Sequence, residues 1–120
     1  EKLIVNGDDY NTIDGSCVRD YIHVVDLAKS HVTALNYLLK NRKKEIFNIG
    51  TGKGLSVIQA IGFFEKSNEK KINFEIGPRR EGDVEVIYSD NSKVEKLLNW
   101  KAEKSVETAM RDAWNWELKK

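Results

Sequence analysis

Between Leu27 and Leu39 apolar side chains recur with the spacing of a helix: Leu27, Ala28, Val32, Ala34, Leu35, Leu38 and Leu39, with His31 among them, fall on one face. Asp26, directly before this run, has the side chain of a good N-cap, and the pattern fades near Asn41. Extended-type segments flank the helix. Tyr21–Val25 is β-branched and aromatic, and Glu45–Ile49 reads as a strand. Strand, helix, strand is the grammar of an α/β chain.

The rest of the sequence continues in that grammar. Leu3–Val5 is a short apolar run that reads as a strand, and Gly7–Ser16, rich in Gly, Asp and Asn, reads as a loop. Ser56 and Gln59 have the spacing of a capping box, predicting a helix over 57–67. Ile72–Ile76 is a strand candidate, Pro78–Asp83 a charged loop and Val84–Tyr88 a short alternating strand. Ser92 with Glu95 opens a capped segment that turns Val94, Leu97 and Leu98 inward. Ser105 caps a last helix with apolar positions Val106, Ala109, Met110, Ala113, Trp114 and Trp116. The 120 residues thus form one domain, α/β, with short strands and about four helices.

Composition excludes several classes of function. Twenty basic against 19 acidic residues leave a net charge of +1, too balanced for a nucleic-acid or membrane surface. No apolar run approaches the roughly 18 residues of a membrane span. The single cysteine, Cys17, rules out an internal disulfide and a Cys-rich metal site. With no signal peptide visible at its start, the sequence is expected to be cytoplasmic. The two histidines, His23 and His31, have no metal-ligand neighbours at useful spacing and read as structural.

Two motifs imitate catalytic ones. Gly50-Thr51-Gly52-Lys53-Gly54 follows an extended segment and precedes a helix, as a dinucleotide-binding loop does. Its glycines are spaced G-x-G-x-G, however, and Lys53 is followed by Gly54, which fails the phosphate-loop spacing; it reads as a tight turn. Tyr37 and Lys40 evoke the tyrosine–lysine pair in which the lysine lowers the phenol's pKa from one helical turn away. That pair requires a spacing of four, and the residues four beyond Tyr10, Tyr21, Tyr37 and Tyr88 are Asp14, Val25, Asn41 and Ser92.

Two clusters of opposite charge carry more information. Arg19-Asp20 stands at the entry to an apolar segment, and Arg79-Arg80-Glu81-Gly82-Asp83 occupies a glycine-containing loop. Arginine forks bind phosphate oxygens bidentately, so two arginines from separate loops can clamp a diphosphate while a carboxylate accepts ribose hydroxyls. The competing reading is surface ion pairing, Arg19 with Asp20 and Arg80 with Asp83.

The stretch Gly7–Ala28 closely resembles the UDP-glucose 4-epimerase family, and its second half is shared in looser form by extended short-chain dehydrogenases that act on nucleotide sugars. Ile46–Val57, Pro78–Lys93 and Leu98–Trp116 resemble the same family in the same order, so the resemblance covers nearly the whole chain. It implies the C-terminal, substrate-side part of an extended short-chain dehydrogenase fold with a Rossmann-like N-terminal half. That half would carry the NAD fingerprint and the catalytic Ser and Tyr-x-x-x-Lys set, none of which is present here. By resemblance Arg19 and Arg80 match diphosphate-binding arginines and Asp83 a ribose contact. Ile4 and Asn6 match the segment flanking uracil, although the family often has an aromatic residue where Asn6 stands. Ile87 occupies a position whose bulk limits N-acetylated sugars. The implied partners are UDP-glucose, UDP-galactose and the N-terminal half, and the implied pathway is galactose metabolism. No catalytic, cofactor or metal residue is expected in this chain. The alternatives are a non-catalytic UDP-sugar-binding module and a related nucleotide-sugar epimerase or dehydratase. Elements that pack on a missing half leave an apolar face, which implies a homodimer or other self-association.

Overall fold

A computed structural model describes residues 2–120. Strand β1 (Leu3–Asn6) and strand β4 (Phe74–Gly77) pair in parallel, with Leu3 opposite Phe74 and Asn6 opposite Gly77. Strand β2 (Val18–Arg19) pairs antiparallel with β3 (Leu55–Ser56), and Val86 forms an isolated parallel bridge to Val18. Four helices complete the described chain: α1 (Val24–Asn41), α2 (Val57–Asn68), α3 (Ser92–Leu98) and α4 (Val106–Glu117).

Helix α2 starts where the local code says. Ser56 accepts from the Gln59 amide at 3.0 Å and Gln59 Oε1 accepts from the Ser56 amide at 3.0 Å, closing the capping box. Asp14, from the loop after β1, also takes the buried Ser56 hydroxyl, together with the Ser16 amide and hydroxyl at 3.1 and 2.7 Å. Helix α4 is capped by Ser105 and packs on α2, with Trp114 set edge-on to Phe64 at 5.7 Å.

Helix α1 departs from expectation at its start. His23 is the cap, its Nδ1 accepting from the Val25 amide at 3.0 Å, and the helix begins at Val24. Tyr21–Val25 is therefore a strand only in sequence preference; pairing ends at Arg19. Asp26 is freed for another task. It is buried, and its Oδ2 accepts from the amides of Glu103 and Lys104 at 3.1 and 2.8 Å, tying α1 to the approach to α4.

The expected apolar face of α1 is also only half used. The chain packs against the side bearing Asp26, Ser30, Ala34 and Tyr37, while Val32, Leu35 and Leu39 remain exposed on the adjoining side. Val94, Leu98 and Trp100 form the centre of the core, joined by Ile22, Ala34, Tyr37, Phe47, Ile49 and Ala102. Phe47 meets Tyr37 edge-on at 5.9 Å, so Tyr37 is a packing residue. Glu45–Ile49 sends these side chains inward but is not a strand, because no neighbouring backbone pairs with it among the described residues. Likewise Val84–Tyr88 forms a single bridge instead of a strand. Ser92 is the first helical residue of α3, and the cap position falls on Asn91. Trp116, expected inward on α4, is exposed.

Candidate functional site

The parallel pairing of β1 and β4 puts their C-terminal ends, Asn6 and Gly77, side by side. The loops that follow, 7–16 and 78–83, therefore rise from one edge. In open α/β sheets the edge beyond the carboxyl ends of parallel strands is where ligands bind.

Here the two arginine clusters meet. The guanidinium of Arg19 donates from one terminal nitrogen to the carbonyls of Val18 and Val84, at 2.8 and 2.7 Å, and from the other to Asp83 Oδ1 at 3.3 Å. Arg80 donates to the same Asp83 oxygen at 2.7 Å. Asp83 is thus a shared acceptor for two cations that are 61 residues apart in sequence (80 − 19). The Arg80 hydrogen bond, reinforced by the charges of both arginines, holds the Asp83 carboxyl below its usual range. The two arginines differ in freedom: the Arg19 side chain is 27% exposed and braced by backbone, whereas that of Arg80 is 67% exposed. Arg19 retains Nε and one terminal N–H, and Arg80 most of its donors, for an external acceptor.

Asp20 does not pair with Arg19. Its carboxylate accepts from the Thr51 amide at 2.8 Å, the Thr51 hydroxyl at 2.6 Å, the Gly52 amide at 3.1 Å and the Ser89 amide and hydroxyl at 3.2 Å. Burial pushes its pKa upward, but hydrogen bonds from Thr51, Ser89 and Gly52 outweigh this and hold it below the ordinary value. The glycine loop is thus folded onto an internal carboxylate. A Cβ on Gly50 would collide with the Asp20 carboxylate and the Ser89 hydroxyl, which is why glycine stands there. The network fixes Arg19 relative to the segment bearing Ile87, whose amide donates to the Val18 carbonyl at 3.1 Å.

Of the residues singled out from sequence, Arg19, Arg80 and Asp83 converge. Asn6 ends β1 beside the base of the arginine loop, Ile4 lies one pleat back with its side chain against Gly77, and Ile87 is exposed on the segment after Asp83. Arg79 escaped that reading. It faces away from Asp83, donating to Asp9 Oδ1 and to the Asp9 carbonyl, both at 2.6 Å, with its guanidinium 4.1 Å from the centre of the Tyr10 ring. Both histidines are engaged internally: His31 bonds the Leu27 carbonyl at 2.8 Å, and His23 presents Nε2 to Asp112 at 3.1 Å. Among the described residues no three His, Cys, Asp or Glu side chains gather as a metal site, and no helix is long and apolar enough to cross a membrane.

This fold, with charged loops at the ends of a parallel pair, is the Rossmann-like fold of extended short-chain dehydrogenases. Residues 1–113 match the family model described as GDP-mannose 4,6 dehydratase, and the chain belongs to that family. It is similar to UDP-glucose 4-epimerase 1 of Oryza sativa subsp. japonica, with 50% identity over 98% of this chain and 34% of that protein. The UDP-glucose 4-epimerase of Erwinia amylovora is 44% identical over 98% of this chain and 35% of its own length. Among solved structures, UDP-glucose-4-epimerase from Stenotrophomonas maltophila, with bound NAD and formylated UDP-arabinopyranose, superposes with a TM-score of 0.96 at 43% identity, covering 98% of this chain and 35% of that one. The Bifidobacterium longum enzyme in complex with NAD+ and UDP gives 0.90 at 45% identity, covering 99% and 35%. The chain therefore spans about a third of the length of the relatives it matches.

Proposed function

We propose that this chain is the C-terminal, UDP-gripping part of a UDP-glucose 4-epimerase, a cytoplasmic enzyme of galactose metabolism that inverts C4 of UDP-glucose and UDP-galactose. The convergence of Arg19 and Arg80 on Asp83 carries this reading. The diphosphate of a sugar nucleotide carries a negative charge on each phosphate, so each arginine gains an acceptor of its own in place of a shared carboxylate. Arg80 swings to it, Arg19 meets it from a fixed position, and Asp83 is released to accept from the ribose hydroxyls. Ile4 and Asn6 flank the base, and Ile87 borders the sugar.

The residues of this chain do not suit NAD. The loop amides that would cradle its pyrophosphate, those of Thr51 and Gly52, already donate to Asp20. When bound, NAD supplies hydride transfer at C4; we assign its site, with the catalytic Ser and Tyr-x-x-x-Lys, to an N-terminal Rossmann half of the longer protein. That half is also the natural cover for Val32, Leu35 and Leu39 on α1 and the strand partner of Glu45–Ile49.

Calorimetric titration of the chain with UDP and with uridine tests the grip. UDP is expected to bind more tightly than uridine, and an Arg19→Ala/Arg80→Ala double variant to erase the difference; equal heats from parent and variant would remove the clamp. With UDP-galactose and added NAD the chain should show no turnover, and measurable C4 inversion would overturn the division of labour. Sedimentation should reveal self-association through the α1 face that Leu35→Glu/Leu39→Glu abolishes. A clean monomer at high concentration would count against an uncovered interface.

A further inference from the structure

The 80–83 turn is pinned at both ends, by different devices. Downstream, Arg19 takes the Val84 carbonyl and the Val18 amide donates to the Glu85 carbonyl at 2.8 Å. Upstream the β1–β4 ladder and the Gly7 amide hold Gly77, and Arg79 anchors the turn itself by its side chain. Its Nε and a terminal nitrogen grip Asp9 through side chain and carbonyl, and its plane covers the buried Tyr10 ring. The receiving loop is itself closed, since the Tyr10 amide donates to Gly15 at 3.0 Å and the Gly7 amide to Gly77 at 3.0 Å. Gly7 has φ +86°, and a Cβ there would stand 2.8 Å from Tyr10 and 3.0 Å from the Arg79 stem, so the slot is fitted to the arginine. The Arg79 hydrogen bond keeps the Asp9 carboxyl below its usual range, so the pair stays charged at neutral pH.

We propose that Arg79 is a positioning residue: by locking onto Asp9 and Tyr10 it sets the 80–83 turn so that Arg80 and Asp83 face Arg19. The consequence for a diphosphate rests on the function proposed above; the locking itself does not. Arg79 commits Nε and one terminal N–H to Asp9 and one face to Tyr10, which ties its side chain to the 7–16 loop and leaves the facing of the turn to Arg80 and Asp83.

The Asp83 amide, which donates to the Arg80 carbonyl at 3.2 Å, reports the turn directly. In ligand-free protein its hydrogen exchange is expected to quicken about tenfold in Arg79→Ala, with the α2 amides unchanged. The same variant should bind UDP about tenfold more weakly, lose less for uridine, which meets only Asp83 of the turn, and lose less for UDP in an Arg80→Ala background than in the parent. Arg79→Lys, which keeps the charge opposite Asp9 but loses the flat stack, should fall between parent and alanine. Unchanged exchange at Asp83, or equal losses for UDP and uridine, overturns the proposal. If the parent chain takes up no UDP, the proposed function falls while the Asp83 amide still decides the role of Arg79.

Discussion

Arg19→Ala is expected to weaken UDP binding by about 100-fold, the largest single effect among the grip residues. Hydrogen bonds to charged groups contribute about 1.5–3 kcal/mol each, and the free Nε and terminal N–H of Arg19 can make two to a diphosphate. The residue is also braced in place by the Val18 and Val84 carbonyls, so little side-chain entropy is lost when ligand arrives. Arg80 must leave Asp83 and become ordered from a mostly exposed state, and Arg80→Ala is expected to cost only about tenfold. Arg19→Lys should fall near the alanine variant, because an ammonium cannot span two carbonyls and a carboxylate with one planar fork. Calorimetry on the three variants orders them, and an Arg19→Ala loss smaller than that of Arg80→Ala would refute the preorganised role of Arg19.

The second large effect is on stability. Asp20→Asn is expected to destabilise the fold by about 2–4 kcal/mol, read from urea unfolding at pH 7. The amide is nearly isosteric, yet it turns an N–H toward a site where the amides of Thr51, Gly52 and Ser89 all need an acceptor. The pH dependence has a definite sign. Asp20 is held below its ordinary value in the folded protein, so it binds fewer protons there than in the unfolded chain at the same pH. Its contribution is complete above the unfolded pKa of about 3.9 and disappears as pH falls through the lower folded value. Asp14, whose burial is outweighed by hydrogen bonds from Ser56 and Ser16, works in the same direction. The parent should lose stability below about pH 4 more steeply than Asp20→Asn, and parallel acid limbs would exclude this role for Asp20.

What could be read from sequence, and what could not, divides along the range of the interaction. Ser56 and Gln59 announce α2 because a capping box is complete within four residues, and Ser105 announces α4 for the same reason. Asp26 looked like a cap because caps are local; its true partners, the Glu103 and Lys104 amides, are 77 and 78 residues away. His23 took the cap instead through a ring nitrogen. Glu45–Ile49 has strand chemistry, but a strand is a property of two segments, and no backbone pairs with it among the described residues. The periodic face of α1 marked residues fit for burial without saying what would bury them. The diphosphate reading of Arg19, Arg80 and Asp83 came from residue chemistry joined to a family resemblance, and the structure brings the three side chains together. Arg79 and Arg80 are indistinguishable by composition. Only the turn of the backbone gives one to Tyr10 and the other to Asp83.

The pairing of β1 with β4 also bears on how the chain is made. The partner of β1, Phe74–Gly77, follows it only after α1 and α2. At roughly 5–20 residues per second a ribosome takes several seconds to go from β1 to β4, during which Leu3, Ile4 and Val5 wait for that partner. The 78–83 loop that carries Arg80 and Asp83 and the 7–16 loop that Arg79 grips both hang from that ladder, so they gain their frame only once β4 is made.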